Sequence, residues 1–206
     1  MSDPGTEVAK EAAKAAAVTL AGPIADIISD TLGGLFGDPI HNWRRNKPAW
    51  RERNERDTAN RAARILADRG VSKIADDANP AEVERIIDAS KDVSDQTLKD
   101  LFAKLIAAAI DPERSQFYRR EFLRVAGELD PIDALVLPLI DVAAQIDPNK
   151  KQWIAQRISR QPSEVELALR NLLRLELTWE PPGGAGNPKI HPILTTLGKQ
   201  FLQATQ

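Results

Sequence analysis

DVSDQTLKDLFAKLIAAAIDPERSQFYRREFLRVAGELDPIDALVLPLIDVAAQI, residues 92–146, is the stretch that decides the fold. Leu98, Leu101, Phe102, Leu105, Ile106 and Ile110 follow the i, i+3, i+4 spacing of a helix that buries one face. Asp111-Pro112 ends that helix, because proline lacks the N–H that the next turn requires. A second stripe, Tyr118, Phe122, Val125 and Leu129, predicts another helix up to Asp130-Pro131. There Asp130 suits the cap of a third helix, Pro131 its first position and Asp133 the positive N-terminal end. Pro138 is expected to kink or shorten that third helix. The centre of the chain therefore reads as a helical core.

Working outward towards the N-terminus, residues 79–82 read Asn-Pro-Ala-Glu, with Asn79 as cap, Pro80 at the first helical position and Glu82 at the third. Val83, Ile86 and Ile87 supply that helix with its apolar side. Before it lies an Arg/Trp zone, His41 to Arg69, with nine Lys/Arg against four Asp/Glu over residues 41–70. Apolar residues return there only with Ala63, Ile65 and Leu66, so the helix is expected to meet the core at its C-terminal end and to stop at Gly70. Trp43, Arg44, Arg45, Lys47, Trp50, Arg51 and Arg53 form a candidate contact for a membrane headgroup layer or other phosphate. The alternative is a solvated helix whose tryptophans plug the core. Residues 6–37 are Ala-rich and amphipathic, and their longest uncharged run, Ala15 to Ala25, is 11 residues. A bilayer span needs roughly 20. This segment either packs on the core or is a membrane-surface or pore-forming segment.

From Asp147 the pattern changes. Trp153, Ile154 and Ile158 mark one helix; Arg160-Gln161-Pro162 marks a turn; Ser163 with Glu166 reads as a capping box for a second helix carrying Val165, Ala168, Leu169, Leu172 and Leu173. Leu177 to Glu180 reads as a strand, residues 181–188 as a Pro/Gly loop and Lys189 to Leu194 as the returning strand, closed by a helix with Leu197, Phe201 and Leu202. Two helices and a hairpin form a winged-helix-like module. Its candidate nucleic-acid contacts are Lys150, Lys151, Arg157, Arg160, Arg170, Arg174 and Lys189. Glu164 and Glu166 at the start of the second helix oppose that use, because carboxylates repel phosphate. The expected architecture is mainly α: an N-terminal helical segment over residues 1–40, a multi-helix bundle over 41–146, and the winged-helix-like module with its short β-hairpin over 147–206.

Bulk properties narrow the function. The chain has 206 residues, 42% hydrophobic and 28% charged, and no cysteine, so there is neither a disulfide framework nor a thiolate nucleophile. Its net charge of −2 is distributed as −4 over residues 1–40, +5 over 41–70, −7 over 71–148 and +4 over 149–206. Two basic zones flank an acidic middle, either pairing within the fold or facing phosphate. No Walker loop, Rossmann glycine triplet, His-Glu-x-x-His or Gly-x-Ser-x-Gly elbow is present. The two histidines, His41 and His191, are far apart, and the pairs Asp76-Asp77 and Asp92-Asp95 sit where capping explains them. No catalytic residue, cofactor, metal or small-molecule substrate is expected. The start of the chain lacks the basic and apolar regions of a signal peptide, so a cytoplasmic location is expected, with the inner-membrane periphery open to it.

Three stretches resemble the abortive-infection alpha family of bacterial phage-defence proteins. Gly37-Asp38-Pro39-Ile40-His41-Asn42-Trp43-Arg44-Arg45-Asn46 is similar to the family's Gly-Asp segment followed by an aromatic, an Arg and an Asn. Ile86 to Ile110 resembles its central Leu-Ala-rich helix, with Phe102-Ala103 in place of Trp-Ala, and continues into Leu129-Asp130-Pro131-Ile132-Asp133-Ala134, similar to the Leu-Ser-Pro-x-Asp-Ala turn. Leu172 to Leu177 with Leu194-Thr195-Thr196-Leu197-Gly198-Lys199-Gln200-Phe201 is similar to its Leu-Thr-x-x-Gly-x-x-Phe closure. The resemblance spans roughly residues 20–204. It implies a bacterial or prophage origin and a role in arresting phage infection, and it carries over no catalytic residue. The partners to be expected are a protein or a second copy of the chain, an anionic membrane surface, or DNA in the case of a winged-helix regulator; a purely scaffolding protein is the third reading.

Overall fold

The computed structural model describes residues 49–71, 73–146, 150–180 and 192–206. The amphipathic segment 6–37, the Gly37–Asn46 stretch, both histidines and the Pro/Gly loop 181–188 lie outside them. The described elements are α1 (Ala49–Asp68), α2 (Pro80–Ser90), α3 (Gln96–Ile110), a 3-10 turn (Ser115–Phe117), α4 (Glu121–Glu128), α5 (Pro131–Val136), a second 3-10 turn (Leu137–Leu139), α6 (Ile140–Ile146), α7 (Lys150–Arg157), α8 (Pro162–Arg174), β1 (Thr178–Trp179), β2 (Ile193–Leu194) and α9 (Thr196–Thr205). The protein is mainly helical, with one short antiparallel hairpin near the C-terminus.

The centre of the fold is α3. Asp95 starts it, its carboxylate accepting from the N–H groups of Thr97 (2.8 Å) and Leu98 (3.1 Å). Asp111 ends it in extended backbone ahead of Pro112. Between these ends the helix is buried on almost every side: Leu101, Phe102, Ala103 and every residue from Leu105 to Ile110 are buried. It packs on α1, α2, α4, α5 and α9. Phe102, Leu105 and Ile106 are fully buried, each contributing about 1.5–3 kcal/mol by leaving water. Ala107, Ala108 and Ala109 keep the surface thin enough for neighbours on opposite sides.

Around α3 the expected punctuation is largely present. Asn79 accepts from Ala81 N–H at 3.0 Å with Pro80 in the first turn of α2, and the break at Pro138 is a 3-10 turn between α5 and α6. Gly70, with φ of +70°, ends α1 as expected: Val71 N–H reaches Leu66 O at 3.0 Å and Gly70 N–H reaches Ala67 O at 3.0 Å.

Three expectations need correction. The second stripe is not one helix, since Tyr118 lies in extended backbone after a 3-10 turn and α4 holds only Phe122 and Val125 of the set. The capping pair of α8 is not Ser163 with Glu166. Gln161 is the cap and Glu164 reaches back to its N–H at 2.8 Å, because Pro162 occupies the first helical position and moves the cap one residue earlier. Nor does α1 meet the core only at its C-terminal end. Asn54, Glu55 and Thr58 are buried with Ala59, Ala62 and Leu66, and Asn54 Nδ2 donates to Lys91 O at 3.0 Å. The packed face of α1 thus runs on through polar residues that hydropathy does not register. Beside it, the buried Lys99 is held by Asp57 at 3.2 Å, and Arg61 joins Asp57, Asp100 and Gln96.

The C-terminal closure is a knot around one carbonyl. After α8, Glu176 takes φ of +60°, and Leu177 N–H returns to Leu172 O at 3.0 Å. β1 then pairs with β2 in the register Thr178–Leu194 and Trp179–Ile193. Leu177 O accepts from Thr195 N–H at 3.0 Å, and the Thr195 hydroxyl donates to Glu176 O at 2.7 Å while accepting from Gly198 N–H at 3.0 Å. A Cβ on Gly198 would lie 2.1 Å from Leu177 O. Close approach therefore requires glycine there, and it carries Phe201 onto Phe122 edge to face at 5.3 Å.

Two glycine substitutions separate these roles. Gly198→Ala is expected to cost about 3 kcal/mol, because backbone faces backbone. Gly127→Ala, in α4 with open space around it, is expected to gain roughly 0.5–1 kcal/mol through helix propensity. Urea unfolding of both variants measures the two effects; a mild loss at Gly198 would contradict the knot.

Candidate functional site: the basic surfaces beside the core

The C-terminal basic surface is built on α7 and α8. Ser159, at φ of +54°, turns the chain between them, and Arg160 N–H returns to Ala155 O at 2.9 Å. Val165, Ala168, Leu169 and Leu172 bury the inner side of α8 against α5 and α7. Its outer side carries Leu167, 65% exposed, and Leu173, 38% exposed, among charged residues.

Three of the seven expected basic contacts, Lys151, Arg170 and Arg174, are already engaged. Arg170 meets Glu166 at 2.7 Å and Lys151 meets the same carboxylate at 3.5 Å. The Arg170 hydrogen bond, then the Lys151 charge, hold Glu166 below the usual carboxylate range. Arg174 reaches Glu128 of α4 at 2.8 Å, and Arg124 binds the other oxygen of that carboxylate at 3.2 Å. Glu128 is held below its usual value by the Arg174 hydrogen bond first. Among the described residues Arg157 and Arg160 are exposed and make no ion pair. Lys150 lies half-buried at the start of α7, and Lys189 falls outside the described residues.

Arg174 also belongs to a joint that sequence reading does not find. Its Nε and Nη2 donate to Asn171 Oδ1 at 3.0 and 2.9 Å. Asn171 Nδ2 donates to Asp133 Oδ2 at 2.5 Å and to Glu128 O at 3.3 Å. Asp133, buried, accepts Asp130 N–H at 2.8 Å in the expected helix start, so one carboxylate caps α5 and anchors α8. Burial pushes the Asp133 carboxyl up, opposed by the hydrogen bonds from Asn171 and Asp130. The capping pattern of Asp130-Pro131-Ile132-Asp133 is visible in sequence; its partner Asn171, 38 residues away, is not.

On the N-terminal side, Trp43, Arg44, Arg45 and Lys47 lie outside the described residues. Trp50 is 43% exposed, with the Arg51 guanidinium 5.4 Å from its ring centre. Arg51 Nε stands 2.7 Å from Asp92, and Arg53 also has a partner. The Arg/Trp zone is thus tied to the α2–α3 loop at its described end. Among the described residues no group of three His or acidic side chains is placed to hold a metal, and no helix is long and apolar enough to cross a membrane.

The α5–α8 joint sets a pH response. Glu128 and Glu166 have lowered folded values, so their contributions are present above the unfolded Glu value and are lost as pH falls through the folded ones. Asp133 has a raised value, so its contribution is full below the unfolded value near 3.8 and is lost as pH rises through the folded one. Carboxyl NMR titration should find Glu128 below and Asp133 above their ordinary values, and Arg174→Ala should return Glu128 upwards. Asn171→Ala is expected to cost about 2 kcal/mol by leaving Asp133 short of a donor. An unchanged Glu128 titration in Arg174→Ala would refute the joint.

Comparison with known proteins adds one match. The abortive infection alpha family model covers residues 51–205, which includes the α3 stretch, the Asp130-Pro131 turn and the Leu194–Phe201 closure but not Gly37–Asn46. Neither the curated proteins nor the solved structures contain a match. The matched region contains every described helix but the first two residues of α1, and on that extent the chain belongs to the abortive infection alpha family.

Proposed function

We propose that this chain is a non-enzymatic phage-defence protein that works by contacting a protein partner through the outer side of α8, in a winged-helix-like module whose wing is the β1–β2 hairpin. Family membership supplies the abortive-infection context. The single observation that carries the contact is Leu167: it is 65% exposed on the helix that a DNA-binding module would insert into the groove. Its charged neighbours are mutually satisfied, with Lys151 and Arg170 on Glu166 and Arg174 on Glu128. An apolar contact inside a rim of paired charges suits a protein surface better than a phosphate backbone. The partner is another protein or a second copy of the chain, met in the cytoplasm.

A second reading, DNA binding, draws on Arg157 and Arg160, which are exposed beside the turn into α8. Peripheral membrane contact draws on Trp50 and Arg51.

Leu167→Asp distinguishes these readings. It is expected to abolish protection in a phage plaque assay while leaving the unfolding midpoint unchanged, because an exposed position bears little stability. DNA mobility shifts should be weak, with a log–log salt slope no steeper than about −2. Full protection by Leu167→Asp, together with a steep salt slope removed by Arg157→Ala and Arg160→Ala, would replace protein contact with DNA binding.

A further inference from the structure

The chain leaving α1 and the break after α3 face each other across a cleft of about 370 Å³. Arg69, Val71 and Lys73 line one side; Asp111, Glu113 and Arg114 line the other. Both sides are tied to helix ends. Gly70 ends α1 in its left-handed turn, and Ala75 N–H donates to Ile110 O at 2.9 Å, docking the linker on the end of α3.

Within this cleft one carboxylate serves two guanidinium groups. Asp111, its side chain 3% exposed, accepts from Glu113 N–H through Oδ1 at 3.0 Å. Its Oδ2 lies 3.4 Å from Arg69 Nη1 and 3.9 Å from Arg114 Nε. Arg114 is steadied by donating from Nη1 to Gln203 O at 3.0 Å. Arg69 Nη2 is buried and has no hydrogen-bond partner among the described residues. A buried donor without an acceptor is costly, and a guanidinium more so than a neutral group. Burial first, and the Arg114 charge second, hold the Arg69 guanidinium below its usual value, and Asp111 only partly offsets them. Lys73 is paired with Asp76 at 2.8 Å, but both are well exposed and that contact is cheap to exchange.

We propose that this cleft is a phosphate-binding site in which Arg69 and Arg114 hold the oxyanion. Two guanidinium groups sharing the single Asp111 carboxylate leave one positive charge unbalanced beside the cleft, which a phosphate group entering it offsets. Lys73 stands close enough along the lining to add a third cation. The volume exceeds that of the anion alone and falls within the range of small-ligand clefts, with Val71 and Pro112 offering apolar surface to the body of an ester. Glu113, exposed at the rim, opposes the anion and weakens binding. This site is separate from the α8 surface and does not depend on the protein contact proposed for it.

Calorimetric titration of the full chain at low salt, with inorganic phosphate, adenosine monophosphate and adenosine, tests the site. Saturable binding of inorganic phosphate and of the monophosphate is expected, with adenosine inert; a tighter monophosphate identifies a phosphorylated metabolite as the source and equal affinity identifies free phosphate. Arg69→Ala removes a partner of the buried Asp111 and so alters stability as well as binding, so Arg114→Ala, at a partly exposed position, carries the comparison, with its melting curve checked alongside. Arg114→Ala should weaken binding by about tenfold. Glu113→Gln should tighten it by about threefold. Absence of saturation at millimolar phosphate and monophosphate, or equal affinity in Arg114→Ala and the parent protein, would overturn the proposal.

Discussion

Everything in this fold is arranged by the fact that α3 has almost no face left for water. A helix apolar on one stripe needs one neighbour; a helix buried from Leu101 to Ile110 needs a cage. That cage is assembled from α1, α2, α4, α5 and α9, elements drawn from both ends of the described chain. The small side chains of Ala103 and Ala107 to Ala109 let backbones come close on several sides at once, while Phe102, Leu105 and Ile106 fill the remaining volume. The result is one apolar core running from Ala59 to Ala204. Among the charged groups that it takes in, Lys99, Asp111 and Asp133 each have a charged or hydrogen-bonding partner, as a low-dielectric interior requires.

The cage is closed by the knot around the Leu177 carbonyl. Thr195 caps α9 and tethers it to the end of α8, and Gly198 allows contact at a distance that no Cβ survives. This gives a physical reason for the Leu-Thr-x-x-Gly-x-x-Phe pattern. Leu194 is buried on the hairpin, Thr195 is cap and tether, Gly198 is clearance, and Phe201 lands on Phe122 of the core. The hairpin therefore acts as the hinge-pin of α9, whatever else its loop does.

Charge is organised by the same geometry. The basic C-terminal zone pairs partly within itself, with Lys151 and Arg170 on Glu166, and meets the acidic middle through Arg174 on Glu128 and the Asn171–Asp133 hydrogen bond. At the Arg69–Asp111–Arg114 cleft the count instead comes out one cation long in a confined space. The α8 surface is thus left nearly neutral with a leucine exposed, and the cleft is left short of an anion.

Local signals were legible in the sequence, and long-range ones were not. Apolar spacing located α3, Asn79-Pro80 located the start of α2, Gly70 the end of α1, and Pro138 the break before α6, because each of these is decided within a turn or two of backbone. The family, too, could be read from residues in register over α3 and the C-terminal closure. Tyr118 broke from its stripe because a 3-10 turn intervened, and Pro162 moved a cap that the Ser163–Glu166 spacing had suggested. What only the tertiary structure decided is which charges meet. Asn171 finding Asp133, Arg174 finding Glu128, and Arg69 sharing Asp111 with Arg114 join residues that no local periodicity links. Caps and stripes are set by the chain's own neighbours along the backbone, whereas the pairing of a charge depends on the elements that packing brings beside it.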